Sequence, residues 1–349
     1  MPHDASQLRP DAASAAPPPS PRPSGGLAAL AQSRILRLAI ITVVIFVATA
    51  LVAPGRFVSV GNITSMAFQF PEFALLALAV MLAMMTGGID LSVVGAANLS
   101  AITAALVLSL AGDAATGPEA AAVIAAAIVA SLAVGLAAGL LNGIAIASFG
   151  LPPILATLGT GLVFSGLGVA ITGGSAVIGF PAAFSVIGNG TLAGIPVPLL
   201  IFAAAAAGVW FLLERTAYGL RVQMLGTNPL AARFAGIDDV AVTIRTYAVS
   251  GLLAATAGLV VMSRANSAKA DYGSSYLLLS ILICVLGGIN PYGGFGRVSG
   301  LVLAVLSLQF LSSGLNMLEV SNFARDFIWG GLLLLVMVIN GVELRRKAT

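Results

Sequence analysis

Residues 73–112 read FALLALAVMLAMMTGGIDLSVVGAANLSAITAALVLSLAG. Two apolar blocks in this stretch flank a short polar break, TGGID at 86–90. Apolar blocks of about 20 residues, the length that crosses a bilayer core roughly 30 Å thick, recur from Ile35 to Val342. Helices satisfy their own backbone hydrogen bonds in lipid, so this pattern predicts an all-α, polytopic transmembrane helical bundle.

The composition agrees with a membrane protein. Of the 349 residues, 59% are hydrophobic and only 8% are charged, against roughly 25% charged in soluble domains. The 40 glycines favour helices that approach closely. A β-barrel would instead consist of segments of about ten residues with alternating polarity, which this chain lacks.

Hydropathy and helix breakers predict about ten spans, with nine or eleven as alternatives. The predicted spans lie at 35–53, 66–86, 91–112, 119–148, 154–172, 197–213, 241–263, 275–288, 298–315 and 326–342.

The basic residues predict that both termini are cytoplasmic. Lys and Arg concentrate in cytoplasmic loops, and with the N-terminus inside, twelve of the sixteen basic residues lie on that side. The net charge of +3 therefore reflects these loops, and no nucleic-acid partner is expected. Four basic residues are left outside: Arg56, Arg264, Lys269 and Arg325.

The chain divides into two predicted regions. Residues 1–33 are rich in Pro, Ala and Ser, which predicts a disordered cytoplasmic tail. A cleaved signal peptide is the less favoured alternative, because the apolar block that follows has full spanning length. Residues 34–349 form the predicted transmembrane domain, which includes a long inner loop at 214–240.

Two acidic residues fall in or beside apolar blocks, where an acid is costly unless it faces a polar path or a partner. Gly87 and Gly88 break the helix before Asp90, which either faces such a path or caps a helix that begins at Leu91. Glu72 is the other candidate for the substrate path, although snorkelling to the outer interface is the favoured interpretation.

Small and amide side chains indicate helix contacts. Gly135, Gly139 and Gly143 recur at every fourth position and predict a close-packing face of one helix. Asn142 beside them either bonds to another helix, which is favoured, or touches substrate. Asn98 is a further candidate for the substrate path.

The inner loop predicts a short helix. Asn228 is a suitable N-cap and Pro229 a suitable first residue of a helix that ends near Gly236. The loop is interpreted either as a docking surface or as an ordinary solvated helix. The candidate docking residues are Arg215, Arg221, Asn228, Pro229, Arg233 and Phe234.

Enzyme chemistry is not predicted. Cys284 is the only cysteine and His3 the only histidine, so catalytic and metal sites built from these residues are not expected. The sequence has no G-x-x-x-x-G-K-[ST] phosphate loop. We therefore expect this chain to bind no cofactor, and any ATP-driven work to come from another subunit.

Four blocks, taken together and in order, resemble the membrane permease subunits of ribose-type and related monosaccharide ABC importers. The resemblance covers about residues 57–342. The blocks are GGIDLSV at 87–93, LPPILATLG at 151–159, the inner loop from Arg215 to Ile237, and the glycine-rich segment at 287–300.

This resemblance implies a multi-pass subunit in the bacterial inner membrane that moves a monosaccharide or related polar solute. It implies a second permease copy or paralogue, a cytoplasmic ABC ATPase subunit and a periplasmic solute-binding protein as partners. The helix at 228–236 would then be the element that couples to the ATPase. A branched-chain amino-acid permease and an ion-coupled secondary transporter remain as alternatives.

Overall fold

The computed structural model describes residues 34–112 and 116–348, so the predicted tail at 1–33 lies outside the described residues. The described chain is mostly helical. Its elements are α1 (Arg34–Val52), α2 (Val60–Met85), α3 (Val93–Ser109), α4 (Gly117–Ala147), α5 (Pro153–Thr172), a 3-10 helix (Ala182–Ser185), α6 (Val186–Asn189), β1 (Thr191–Leu192), β2 (Ile195–Pro196), α7 (Val197–Glu214), α8 (Ala217–Thr227), α9 (Pro229–Phe234), α10 (Asp239–Ala265), α11 (Tyr276–Leu286), α12 (Val298–Met317) and α13 (Asn322–Ala348).

Each of the ten predicted spans coincides with one helix. Within the described residues, seven helices are long and apolar enough to cross a membrane, namely α1, α2, α4, α5, α7, α10 and α12, while α3 and α11 are shorter apolar helices. The prediction of a polytopic helical bundle is thereby confirmed. The number of spans and the orientation of the termini stay predictions.

One correction concerns the connection between α5 and α7, where the all-α prediction misses a small hairpin. Strands β1 and β2 pair antiparallel. Ala193 and Gly194 form the turn with φ values of 51° and 80°, as in the tight turns that suit twisted hairpins.

The helix α2 lies at the centre of the bundle and is buried from Phe70 to Met85. It begins at Val60, six residues before the predicted span, because the hydroxyl of Ser59 caps it by accepting from the Asn62 N–H (3.2 Å). Around it, α1, α4, α5 and α7 leave most of their apolar surface exposed, as helices that face lipid do.

The predicted glycine stripe lies against α10. A Cβ added to Gly135 would lie 2.5 Å from the backbone oxygen of Gly251, and one added to Gly143 would lie 2.7 Å from the Cα of Ile244. Gly139, between them, lies against the Tyr247 carbonyl. Only glycine leaves room for the two backbones at this crossing.

The connections gather at two ends of the bundle. At one end the Gly294 N–H donates to the Met85 carbonyl (3.0 Å), so the loop after α11 touches the end of α2. At the other end the backbones of Val177 and Ala268 pair. Following the predicted orientation, we call the first the inner end and the second the outer end.

Candidate functional site

A cavity of about 610 Å³ lies near the outer end, between α2, α10, α11, α12 and α13. Its volume falls within the range of roughly 300–1,000 Å³ that is typical of small-molecule sites. Charged, amide and aromatic side chains line it together, including Glu72, Arg264, Tyr276, Gln309, Arg325 and Trp329.

Glu72 is the central charged group of this cavity. It is 7% exposed and forms an ion pair with Arg264, whose Nη1 lies 2.9 Å from Oε1. The hydroxyl of Tyr276 donates to Oε2 (2.8 Å). These contacts hold Glu72 in the cavity at the outer end, and its snorkelling to the outer interface stays a prediction.

Replacing Glu72 with leucine is expected to destabilise the chain by roughly 1–3 kcal/mol, since it leaves the partly buried Arg264 guanidinium without its counter-ion. The double change Glu72→Leu with Arg264→Leu should recover most of that loss. The measurement is unfolding of the purified chain in increasing dodecyl sulfate. If the single and the double variant are equally stable, the Glu72 and Arg264 side chains do not stabilise each other.

Gln309 is the second notable group. It is 2% exposed and lines the cavity, yet its carboxamide has no hydrogen-bond partner within the described residues. Ser312, three residues later on α12, lines the same cavity. The sequence analysis missed Gln309, although an amide within the apolar stretch LSLQFL at 306–311 was a usable signal.

Asp90 lies elsewhere, in a buried polar network at the start of α3. It is 2% exposed, and its Oδ1 accepts from the N–H (3.0 Å) and the hydroxyl (2.6 Å) of Ser92. Its Oδ2 accepts from the hydroxyl of Ser250 on α10 (2.9 Å). Asp90 does not cap a helix at Leu91, because α3 begins at Val93.

Asn142 extends this network across the bundle. Its amide donates to Ser92 Oγ (2.7 Å), and its carbonyl accepts from Thr160 on α5 (2.6 Å). The network therefore joins α3, α4, α5 and α10. Neither Asp90 nor Asn142 lines the outer cavity.

Replacing Asp90 with alanine is expected to cost on the order of 3 kcal/mol, because it leaves three buried donors without an acceptor. Asp90→Asn should cost less, since its carbonyl still accepts and its amide can donate to Ser250. The stability loss of both variants is measured as resistance to unfolding by dodecyl sulfate. The control Asp271→Ala removes an exposed ion pair with Lys269 and should change little; an equal loss there would refute the prediction.

Gly87 and Gly88 form a tight turn between α2 and α3. Gly87 has a φ of 86°, which glycine adopts without strain. A Cβ on Gly88 would lie 2.5 Å from the Tyr247 hydroxyl and 2.9 Å from Pro153 Cβ. That hydroxyl is buried and has no hydrogen-bond partner among the described residues.

Asn98 holds the loop that borders the outer cavity. Its amide donates to the carbonyls of Ala270 and Tyr272, both at 2.9 Å. These bonds use both hydrogens of the amide. Tyr272 itself lines the cavity, so Asn98 positions one wall.

The inner end contains a junction of glycines. Gly226, at the end of α8, lies against the Met85 carbonyl and the Gly294 N–H. A Cβ added to Gly293 would lie 2.8 Å from the Cα of Gly87. The inner loop, the turn after α2 and the loop after α11 thus meet through backbone contacts.

The predicted inner-loop helix is present as α9. Asn228 caps it by accepting from the Ala231 N–H (3.0 Å), and Pro229 is its first residue. Phe234 is 85% exposed at its end. Arg233 points back: its Nε and Nη2 donate to Asp239 Oδ2 (2.8 and 2.6 Å). Arg233 therefore links α9 to α10.

The remaining loop candidates are dispersed. The guanidinium of Arg215 lies 5.2 Å from the ring centroid of Trp210, a cation–π contact within α7 and its end. Arg221 is exposed on α8 and has no ion-pair partner among the described residues.

A second link joins the inner loop to α10. Tyr218 on α8 hydrogen-bonds to Thr246 Oγ1 (2.6 Å), and Thr246 in turn donates to the Val242 carbonyl (2.7 Å). Because Thr246 donates its own hydrogen to Val242, Tyr218 is the donor in this pair. Burial raises the pKa of Tyr218 above its usual value, so the phenol stays protonated at neutral pH.

These apolar helices of membrane-spanning length define a multi-pass membrane protein. The chain belongs to the family described as branched-chain amino acid transport system / permease component, whose model matches residues 62–337. The family confirms the predicted location in the bacterial inner membrane and the assignment as a transport subunit.

Two relatives illustrate the family. The chain is 37% identical over 282 residues to the ribose import permease protein RbsC of Bacillus subtilis, which covers 80% of this chain and 84% of that protein. It is 36% identical over 212 residues to the autoinducer 2 import system permease protein LsrD of Yersinia enterocolitica. That match covers 59% of this chain and 64% of the Yersinia protein. No solved structure matches the chain significantly.

Proposed function

We propose that this chain is the membrane-spanning permease subunit of a bacterial ABC importer for a monosaccharide or related polar solute. The observation that carries the proposal is the likeness to a ribose import permease over 80% of this chain and 84% of that protein. The likeness to an autoinducer 2 import permease supports it.

In this proposal ATP is hydrolysed by a separate cytoplasmic ABC subunit, because the sequence contains no phosphate loop. The docking element is α9, which presents Phe234 and Leu230 with 85% and 63% of their surface exposed. A periplasmic binding protein delivers the solute, and a second permease copy or paralogue completes the pore.

The links from the inner loop suggest how ATPase movement reaches the transport path. The Arg233–Asp239 pair and the Tyr218–Thr246 hydrogen bond tie α9 and α8 to the first part of α10. A helix of 27 residues is about 40 Å long. Its last turn carries Arg264, which lines the outer cavity. A rigid-body movement of α10 would therefore change that cavity.

Reconstitution in proteoliposomes tests the proposal. The chain is purified with the ATPase and binding protein that its neighbouring genes encode, and uptake of labelled D-ribose is measured with and without ATP. We expect uptake that needs all components and ATP. Uptake by the chain alone, driven by a proton or sodium gradient, would support an ion-coupled transporter, and ATP-driven uptake of L-leucine but not of sugars would support an amino-acid permease.

A further inference from the structure

We propose that the outer cavity is a weak binding site for a neutral polyhydroxylated ligand, a monosaccharide, which hydrogen-bonds to Gln309 beside the Glu72–Arg264–Tyr276 cluster. The inference rests on the proposed function and assigns the solute-contacting residues. It stands on three features of the cavity: an amide without a partner, basic groups that already have partners, and an aromatic wall.

The amide of Gln309 is the first feature. A side-chain amide inside a protein normally has a hydrogen-bond partner, which can be water or a ligand. Gln309 is 2% exposed and lines the cavity without such a partner among the described residues. Its carboxamide can both donate and accept, which matches the hydroxyl groups of a sugar.

The charged groups are the second feature, and they disfavour an anionic ligand. Asp326 also lines the cavity and has no ion-pair partner among the described residues, so it would repel a carboxylate. Arg264 already pairs with Glu72 at 2.9 Å. Arg325 donates from Nε to the Val320 carbonyl (3.2 Å) and from Nη2 to Asn316 Oδ1 (3.0 Å). A carboxylate on the ligand would have to compete with these contacts, whereas hydroxyl groups can use the lone pairs and N–H groups that remain.

The aromatic wall is the third feature. Trp329 is buried and lines the cavity with Phe73 and Tyr276. The rings of Phe73 and Tyr276 pack edge to face, with centroids 6.0 Å apart. Aromatic rings cover the apolar C–H face of a sugar, while a few polar groups orient it, as in other small-molecule sites.

Weak binding follows from the same geometry. Glu72, Arg264 and Arg325 already have partners, so the ligand gains few charge-assisted bonds from them. A transport path needs this balance, because a solute that binds too tightly does not leave.

A thiol-protection experiment tests the site. Cys284 is the only cysteine and is buried, with its thiol donating to the Ala77 carbonyl (3.3 Å); Cys284→Ser keeps that donor. Ser312→Cys in this background places one thiol in the cavity. We expect a membrane-impermeant methanethiosulfonate to modify it from the periplasmic side, and D-ribose, D-xylose, D-glucose or D-galactose to slow the reaction.

Adding Gln309→Leu should raise the sugar concentration that gives half protection by about tenfold, because it removes one hydrogen bond worth roughly 1.4 kcal/mol. The matched change Gln223→Leu, on α8 at the inner end, should leave it unchanged. Each variant is first checked for folding by gel filtration. The inference would be overturned by an unreactive thiol, by no protection from any of the four sugars, or by equal protection after Gln309→Leu. Protection by L-leucine alone would also overturn it.

The proposed function is tested separately, by measuring assembly with the ATPase and ATP-driven uptake for the same variants. If the chain assembles with the ATPase and takes up solute with ATP, but sugars do not protect the thiol, the cavity site is rejected and the proposed importer function stands. Protection by sugar in a chain that does not assemble with an ATPase would support the site and reject the importer.

Discussion

Replacing Gly139 with valine is expected to abolish the folded bundle. Glycine at this position lies against the Tyr247 carbonyl of α10, and an added Cβ would lie 2.9 Å from the Tyr247 carbonyl carbon and 3.0 Å from the Ala248 Cα. These are backbone atoms, so no side-chain rotation relieves the overlap, and α4 must move away from α10. We expect a loss of 3 kcal/mol or more, roughly the upper range for overpacked cores.

The measurement is the yield of monodisperse chain after extraction in mild detergent, followed by unfolding in dodecyl sulfate. Gly159→Val is the matched control. Gly159 lies on the apolar helix α5, is exposed, and has no atom within 4 Å of its added Cβ. We expect Gly159→Val to behave as the unchanged chain. Normal yield and stability of Gly139→Val would contradict the close helix contact.

Replacing Phe234 with alanine is expected to reduce ATP-driven uptake by on the order of tenfold or more, because an exposed aromatic anchor often carries much of an interface's binding energy. Phe234 is 85% exposed and makes no ring contact among the described residues, so its removal should not affect folding. The measurements are uptake in proteoliposomes and stimulation of ATP hydrolysis by the binding protein.

Phe323→Ala is the matched control for this prediction. Phe323 is 88% exposed at the start of α13, on the outer end, and its removal should leave ATP hydrolysis coupled to uptake. Arg233→Ala tests the link to α10 instead: the ATPase should still bind, while ATP hydrolysis no longer drives uptake. Full coupling in both the Phe234 and Arg233 variants would reject α9 as the docking element.

The sequence predicted the parts of this protein that depend on neighbouring residues. Hydropathy placed ten segments that coincide with ten helices, because the length and apolarity of a span are local properties. The inner-loop helix was predicted for the same reason: the Asn228 cap and the Pro229 start act within one helical turn. The family was also recognisable from short blocks of sequence.

Only the tertiary structure decided which polar residues act together. Glu72 meets Arg264, 192 residues away, and Asp90 meets Ser250, 160 residues away. Sequence reasoning favoured snorkelling for Glu72 and left Asp90 between a polar path and a helix cap. Folding puts Glu72 in a cavity with Gln309 and Asp90 in a closed hydrogen-bond network. Local patterns determine helices and caps, but the partner of a buried polar group is set by how distant helices pack, and no local pattern contains that information.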